Sequence, residues 1–166
     1  MASKAFCCSS SFSATSFYRN AQNTIKQYSE LQSNGAVLVS PKNFGETITY
    51  GLESIFSWRP LSFYDANFSL TAFQQNINGS NLAQDVVSKA FNWYGKWINN
   101  FIPWQGGKLQ LIGSYNSKLA TAQGNRIAIY SMDLGFQQKV GKSNSRLGLV
   151  VTDVFNTLKS GYVNNT

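Results

Sequence analysis

A chain of 166 residues fits a single domain. Only 13% of it is charged, well under the usual ~25%, and Asn, Gln, Ser, Thr and Gly replace the missing charge. The mean hydropathy of -0.21 and the lack of any run of ~18 apolar residues exclude a helical membrane protein, but not a transmembrane β-barrel, which hides its apolar half at every second position. The net charge of +7 comes from 14 Lys and Arg scattered from Lys4 to Lys159 with no run of three. That leaves no basic stripe and no nucleic-acid-binding motif; Arg59, Lys108, Lys139, Lys142 and Arg146 sit at apparent strand ends, as solvated turn residues or as partners for lipid phosphates. There is no histidine, the commonest general base and metal ligand. Cys7 and Cys8 are adjacent and cannot staple separate segments. No metal-ligand spacing, phosphate loop or nucleophile elbow occurs. The expectation is a protein that is not an enzyme, with no catalytic residue, metal or cofactor.

Residues 1–29 lack acids and are serine-rich, as organellar transit peptides are. Even so, Phe6, Cys8, Phe12, Ala14 and Tyr18 share one parity, which predicts a first strand over Ala5–Tyr18. No apolar core of ~7–15 residues follows Lys4, so no secretory signal is expected in this stretch, and Met1 is expected not to be the natural start. Residues 22–43 read as a polar excursion turning at Ser33-Asn34-Gly35.

The second strand, Thr47–Trp58, has the strongest pattern. Ile48, Tyr50, Leu52, Phe56 and Trp58 alternate with Thr47, Thr49, Gly51, Glu53 and Ser57, and the run exceeds the ~5–6 residues of an ordinary strand. A tilted strand crossing a bilayer needs about this length. A third strand, Tyr64–Gln75, sets Tyr64, Ala66, Phe68, Leu70 and Ala72 against Asp65, Asn67, Ser69 and Thr71. The fourth, Lys89–Phe101, sets Phe91, Trp93, Gly95, Trp97 and Phe101 against Asn92, Tyr94, Lys96 and Asn100. Strands over Lys108–Ser117, Ile127–Val140 and Arg146–Phe155 complete the set. Long excursions at 19–46, 76–88 and 118–126 alternate with short turns at 59–63, 102–107 and 140–145, the asymmetry of outer-membrane barrels. Trp58, Tyr64, Phe101 and Trp104 gather near the short turns, where an interfacial aromatic girdle belongs.

The run Asn43-Phe44-Gly45-Glu46-Thr47-Ile48-Thr49-Tyr50-Gly51-Leu52-Glu53 resembles a signature found late in the barrels of TonB-dependent outer-membrane receptors. It particularly resembles the outer membrane β-barrel family of Bacteroidetes-type bacteria. Phe91-Asn92-Trp93-Tyr94-Gly95-Lys96, Tyr130-Ser131-Met132-Asp133-Leu134-Gly135 and Val151-Thr152-Asp153-Val154-Phe155-Asn156-Thr157 extend the resemblance over nearly the whole chain from about Phe17.

The resemblance implies a bacterial outer-membrane location and an all-β fold: an antiparallel up-and-down meander forming a partial transmembrane β-barrel. About seven long strands are readable, a third of a wall of roughly 22. Residues 1–166 would be a C-terminal segment of the barrel domain, with 22–43 an extracellular hairpin extension. Nothing matches the N-terminal plug, the segment that engages TonB, or the aromatic-ended final strand, so the sequence reads as a fragment. The implied partners are outer-membrane lipid, the plug and remaining strands of the full-length protein, and the TonB energy-transducing complex; no nucleic acid is expected.

Two functions stay open. One is part of a transporter taking up a scarce nutrient such as a metal chelate, oligosaccharide or peptide. The other is a secreted or surface β-sandwich binding module, whose apolar parity would form a sandwich core. For the transporter, Glu53, Asp65, Asn67, Lys96, Asn100, Gln110 and Asp133 are the candidate lumen-facing residues. They either hydrogen-bond the plug and line a hydrated path or are solvated wall residues. Ile55, Ile98, Ile112 and Val150 interrupt the polar parity, through contact with a plug or a slip in register.

Overall fold

The structure is a computed structural model that describes residues 9–79, 87–121, 124–141 and 145–164. Among these residues there is no helix. The strands are β1 (Ser9–Leu31), β2 (Val37–Leu61), β3 (Tyr64–Asn78), β4 (Val87–Phe101), β5 (Gly107–Asn116), β6 (Leu119–Thr121), β7 (Gly124–Arg126), β8 (Ile129–Lys139), β9 (Arg146–Val151) and β10 (Tyr162–Asn164). Seven of them form one sheet in the order β1-β2-β3-β4-β5-β8-β9, and β10-β7-β6 form a second, small one. Every pairing is antiparallel. The large sheet is therefore a meander, interrupted only where the β6–β7 hairpin is inserted between β5 and β8. It is open, with β1 and β9 at its edges.

Strong alternation fixes this register, because a one-residue slip would turn every apolar side chain to the polar side. Across the sheet the pairs Phe56–Phe68, Phe68–Trp97, Trp97–Gly113 and Gly113–Met132 run in one unbroken row. The one irregularity in the β2–β3 ladder falls between Trp58 and Leu61. Pro60 sits there, and a residue without an N–H is tolerated where a ladder is already broken. Leu52, Phe68, Trp97, Leu111 and Leu134 share one face, as the alternation predicts.

The first hairpin turns where expected, around Ser33-Asn34-Gly35, but its strands run further: β1 continues to Leu31 rather than ending at Tyr18, and β2 starts at Val37 rather than Thr47. Residues 22–43 are paired strand nearly throughout, with only 32–36 turning. The Gly35 amide donates to Gln32 at 2.9 Å, and Asn34 Oδ1 accepts from the Ala36 amide at 3.0 Å. Gly35 has φ +81, a conformation that glycine adopts without penalty. The stretch reads as polar because its apolar residues keep no single parity: Ile25, Leu31, Val37 and Val39 are odd-numbered, Tyr28, Leu38 and Phe44 even-numbered. Asn23, whose φ is 55, lies between the pairs Gln22–Glu46 and Thr24–Phe44. Beyond Glu46, β2 has only β1 as a neighbour, which puts Pro41 on a strand edge where its missing N–H is harmless.

Other boundaries shift less. The loop expected at 118–126 carries β6 and β7, and β9 ends at Val151 rather than Phe155. Part of the expected first strand (residues 5–8), most of the loop at 76–88 (residues 80–86) and turn residues 142–144 lie outside the described residues.

Burial is inverted relative to a water-soluble sheet protein. Among the described residues, the buried side chains include Thr47, Thr71, Asn92, Asn99 and Asn100, against only Ala66 and Ile77 among the hydrophobic ones. Phe12, Tyr50, Leu52, Phe91, Leu147 and Leu149 are exposed. Such an apolar surface, far larger than a soluble monomer presents, requires a partner medium.

Candidate functional site: the polar face of the sheet

The strand register places all seven candidate residues, Glu53, Asp65, Asn67, Lys96, Asn100, Gln110 and Asp133, on the face opposite the aromatic rows. Three of them form a hydrogen-bonded row across three strands. Asn100 Nδ2 donates to Asp65 Oδ2 at 2.7 Å, and Gln110 Nε2 donates to Asn100 Oδ1 at 2.8 Å. Arg59 extends the row onto β2, its guanidinium 3.9 Å from Asp65 Oδ1. At the other end Gln110 lies beside Gly135, where an added Cβ would stand 3.6 Å from the Gln110 Cβ. The pattern of the ladder explains this: Asp65–Asn100, Asn100–Gln110 and Gln110–Gly135 are direct cross-strand pairs, and opposed side chains in such pairs lie within reach of each other.

The remaining candidates stand apart from this row. Asn67 Oδ1 accepts from Ser57 Oγ at 2.7 Å, closer to β1. Glu53 and Lys96 are exposed on the same face. Asp133 Oδ1 accepts the Asp153 amide at 2.8 Å, and so anchors the turn that follows β9. In that turn the Asp153 carboxylate accepts the Thr157 amide at 2.8 Å and the Leu158 amide at 2.9 Å. Thr157 Oγ1 donates to the Tyr130 carbonyl at 3.0 Å. The Asp and Thr of the Val151–Thr157 motif thus hold the local backbone, since the carboxylate caps amides that β9, once ended, leaves without a ladder partner.

Two participants were not among the candidates. Arg59, expected at a turn, belongs to β2 and continues the polar parity of Ser57, which is the signal that identifies it. Asn99 has no such signal, because it sits on the apolar parity of β4. There it is buried and its Oδ1 accepts the Tyr64 hydroxyl at 2.6 Å. Tyr64 also packs on Phe101, with ring centroids 4.6 Å apart, and meets Trp58 edge-on at 6.3 Å. The expected aromatic cluster at the short-turn end is therefore a contacting group, with Trp104 nearby donating to Gln138 Oε1 at 2.7 Å.

The isoleucines that interrupt the polar parity do not mark a slip. Ile98 and Ile112 are directly paired, in ladders with no break in register, and form an apolar island within the polar face. Phe73 and Tyr94 make a second one, in T-shaped contact at 6.2 Å. Phe73 lies over Gly51, where an added Cβ would fall 2.6 Å from the Phe73 Cβ.

A single-layer antiparallel meander with an exposed aromatic and aliphatic face, and a hydrogen-bonded polar face behind it, is the wall of a transmembrane β-barrel. The described strands of this wall satisfy their inner backbone groups through the ladder, as a hydrocarbon medium demands. The sequence profile of the outer membrane protein beta-barrel family matches residues 4–166, and the chain belongs to that family. Its place is the bacterial outer membrane, with lipid as the medium that meets the apolar face. Searches of curated proteins and of solved structures found no match.

Proposed function

We propose that this wall is part of a TonB-dependent outer-membrane receptor, which takes up a scarce nutrient such as a metal chelate, an oligosaccharide or a peptide. Its role is transport rather than catalysis. The observation that carries the reading is the two-sided character of the polar face. The Arg59–Asp65–Asn100–Gln110 row offers fixed hydrogen-bonding groups, while the Ile98–Ile112 and Phe73–Tyr94 patches offer apolar contact. A water-filled pore has no use for apolar patches on its inner wall; a lumen that holds a folded plug does. The signature-like run from Asn43 to Glu53 supports the same assignment by resemblance.

Size supports it as well. Seven strands at ~4.8 Å spacing make about 34 Å of wall. In this reading the open edges at β1 and β9 join further strands of a larger barrel, since lipid does not tolerate unpaired edges. The plug and the energised TonB complex are then partners of the whole receptor. The sandwich alternative finds no support: it needs a second sheet on the apolar face, and Phe12, Tyr50, Leu52, Trp58 and Phe91 stay exposed there.

Uptake of candidate solutes by cells carrying the full-length gene tests the proposal. Uptake should stop when the energy-transducing partner is deleted. Solute entry that persists without that partner, at rates proportional to the gradient, would show a passive pore instead.

A further inference from the structure

Two neighbouring rows of side chains cross the outward face of the sheet. One runs Ser54, Leu70, Gly95, Tyr115, Tyr130; the other runs Phe56, Phe68, Trp97, Gly113, Met132. Between them lies a groove of about 650 Å³, within the range of small-molecule sites. Small residues make its floor. At Gly95 an added Cβ would meet nothing closer than the Ser69 carbonyl at 3.7 Å, so a side chain there makes only ordinary contacts. Trp97 leans over Gly113, where a Cβ would stand 2.9 Å from the ring, and forms one wall with Phe68, stacked on it at 6.5 Å. Tyr115 and Tyr130, stacked at 6.5 Å, form the other. Phe155 borders one end, carried by the turn that Asp153 and Thr157 hold.

Apart from the Tyr115 and Tyr130 hydroxyls, the lining has little to offer a polar ligand. The Ser54 hydroxyl donates to the Leu70 carbonyl and the Thr157 hydroxyl to the Tyr130 carbonyl. Lys96 borders the groove, but the alternation assigns its side chain to the opposite face. The groove opens onto the surface that, by family membership, meets outer-membrane lipid. A recess in such a surface left empty forfeits dispersion contacts along its whole lining, so an occupant that fills it is favoured over a void.

We propose that this groove is a binding site for one acyl chain of an outer-membrane lipid, recognised by its hydrocarbon and not by its headgroup. A chain lying between the two rows runs across the strands, and so is held against the wall instead of exchanging with the surrounding lipid.

Native mass spectrometry of the full-length protein extracted in detergent provides the test. One lipid per chain should survive delipidation, drawn from several headgroup classes. Gly95→Leu, which fills the groove where a side chain has room, should lower the retained fraction about tenfold or more. Leu149→Phe, on the same face outside the groove, should leave it unchanged. The proposal is overturned if the wild type retains no lipid, if retention follows one headgroup, if an apolar molecule other than a lipid occupies the groove, or if Gly95→Leu retains as much as wild type. Should Gly95→Leu fail to assemble, quenching of wild-type tryptophan fluorescence by a dibrominated fatty acid decides. Saturation at one equivalent supports the site, and quenching that rises without saturation overturns it.

Discussion

The Asn100 side-chain amide joins Asp65 on β3 at 2.7 Å, while its carbonyl oxygen accepts from Gln110 on β5 at 2.8 Å. One buried asparagine thus uses both ends of its amide to tie three strands together on the polar face. Leucine cannot replace it in kind: the Asp65 carboxylate would lose a charge-assisted bond and the Gln110 amide its acceptor.

Asn100→Leu should therefore destabilise the wall by about 1–3 kcal/mol, the usual cost of leaving a polar partner unsatisfied. Lys96→Gln, an exposed change on the same strand and face, should stay within about 0.5 kcal/mol. Urea midpoints of the protein folded in detergent micelles, read by heat-modifiable gel migration, check both.

Tyr64→Phe should also be costly, despite removing a single oxygen. It leaves the buried Asn99 Oδ1 without the hydroxyl that sits 2.6 Å from it, at a cost of about 1–3 kcal/mol. The double change Tyr64→Phe with Asn99→Leu should recover much of the loss, because both polar partners then disappear together. The same urea titration reads the cycle.

How legible was this arrangement in the sequence? The wall was, because period-two alternation over ten or more residues admits one pairing of faces; the aromatic rows fall on one side of the large sheet and all seven candidate positions on the other. The extension at 22–43 was legible as a hairpin from its Asn-Gly turn but not as paired strand, since its apolar residues fall on both parities and the averaged segment looks merely polar. Asn99 was illegible for a different reason: an asparagine on an apolar parity makes sense only once the Tyr64 hydroxyl is known to reach it diagonally across the ladder, past the directly paired Ala66. The Asp153 turn lay hidden because Val151–Phe155 has strand-like residues, and the bonds that bend it away, from the Asp153 carboxylate to Thr157 and Leu158 and from Asp133 to the Asp153 amide, show no pattern in the sequence.

Glycines separate tight positions from open ones. A Cβ at Gly51 would run into the Ala72 carbonyl and stand 2.6 Å from the Phe73 Cβ, so Gly51→Val must displace backbone. It should cost about 1–3 kcal/mol, as overpacked sites do, and lower assembly yield. Gly95→Ala, with only ordinary contacts awaiting it, should assemble as wild type. Folded fraction on a heat-modifiable gel distinguishes the pair.

Leu134 separates the membrane account from a soluble one. Half-exposed on the apolar face and paired with Leu111 and Val151, it should tolerate arginine within about 0.5 kcal/mol if water covers that face. In lipid, Leu134→Arg should cost about 2–4 kcal/mol if it lies near the bilayer midplane. Unfolding titrations in liposomes measure the difference.

The most direct test of the wall's orientation is a nitroxide scan along β3, one position at a time from Asp65 to Ala72, in the full-length protein reconstituted in bilayers. Accessibility to dissolved oxygen, which concentrates in hydrocarbon, should peak at Ala66, Phe68, Leu70 and Ala72. Accessibility to a polar nickel chelate should be lowest at those four positions. The alternation follows from the β3 register, which sends the two sets to opposite faces. Two profiles that rise and fall together, or an oxygen maximum at Asp65, Asn67, Ser69 and Thr71, would contradict the account.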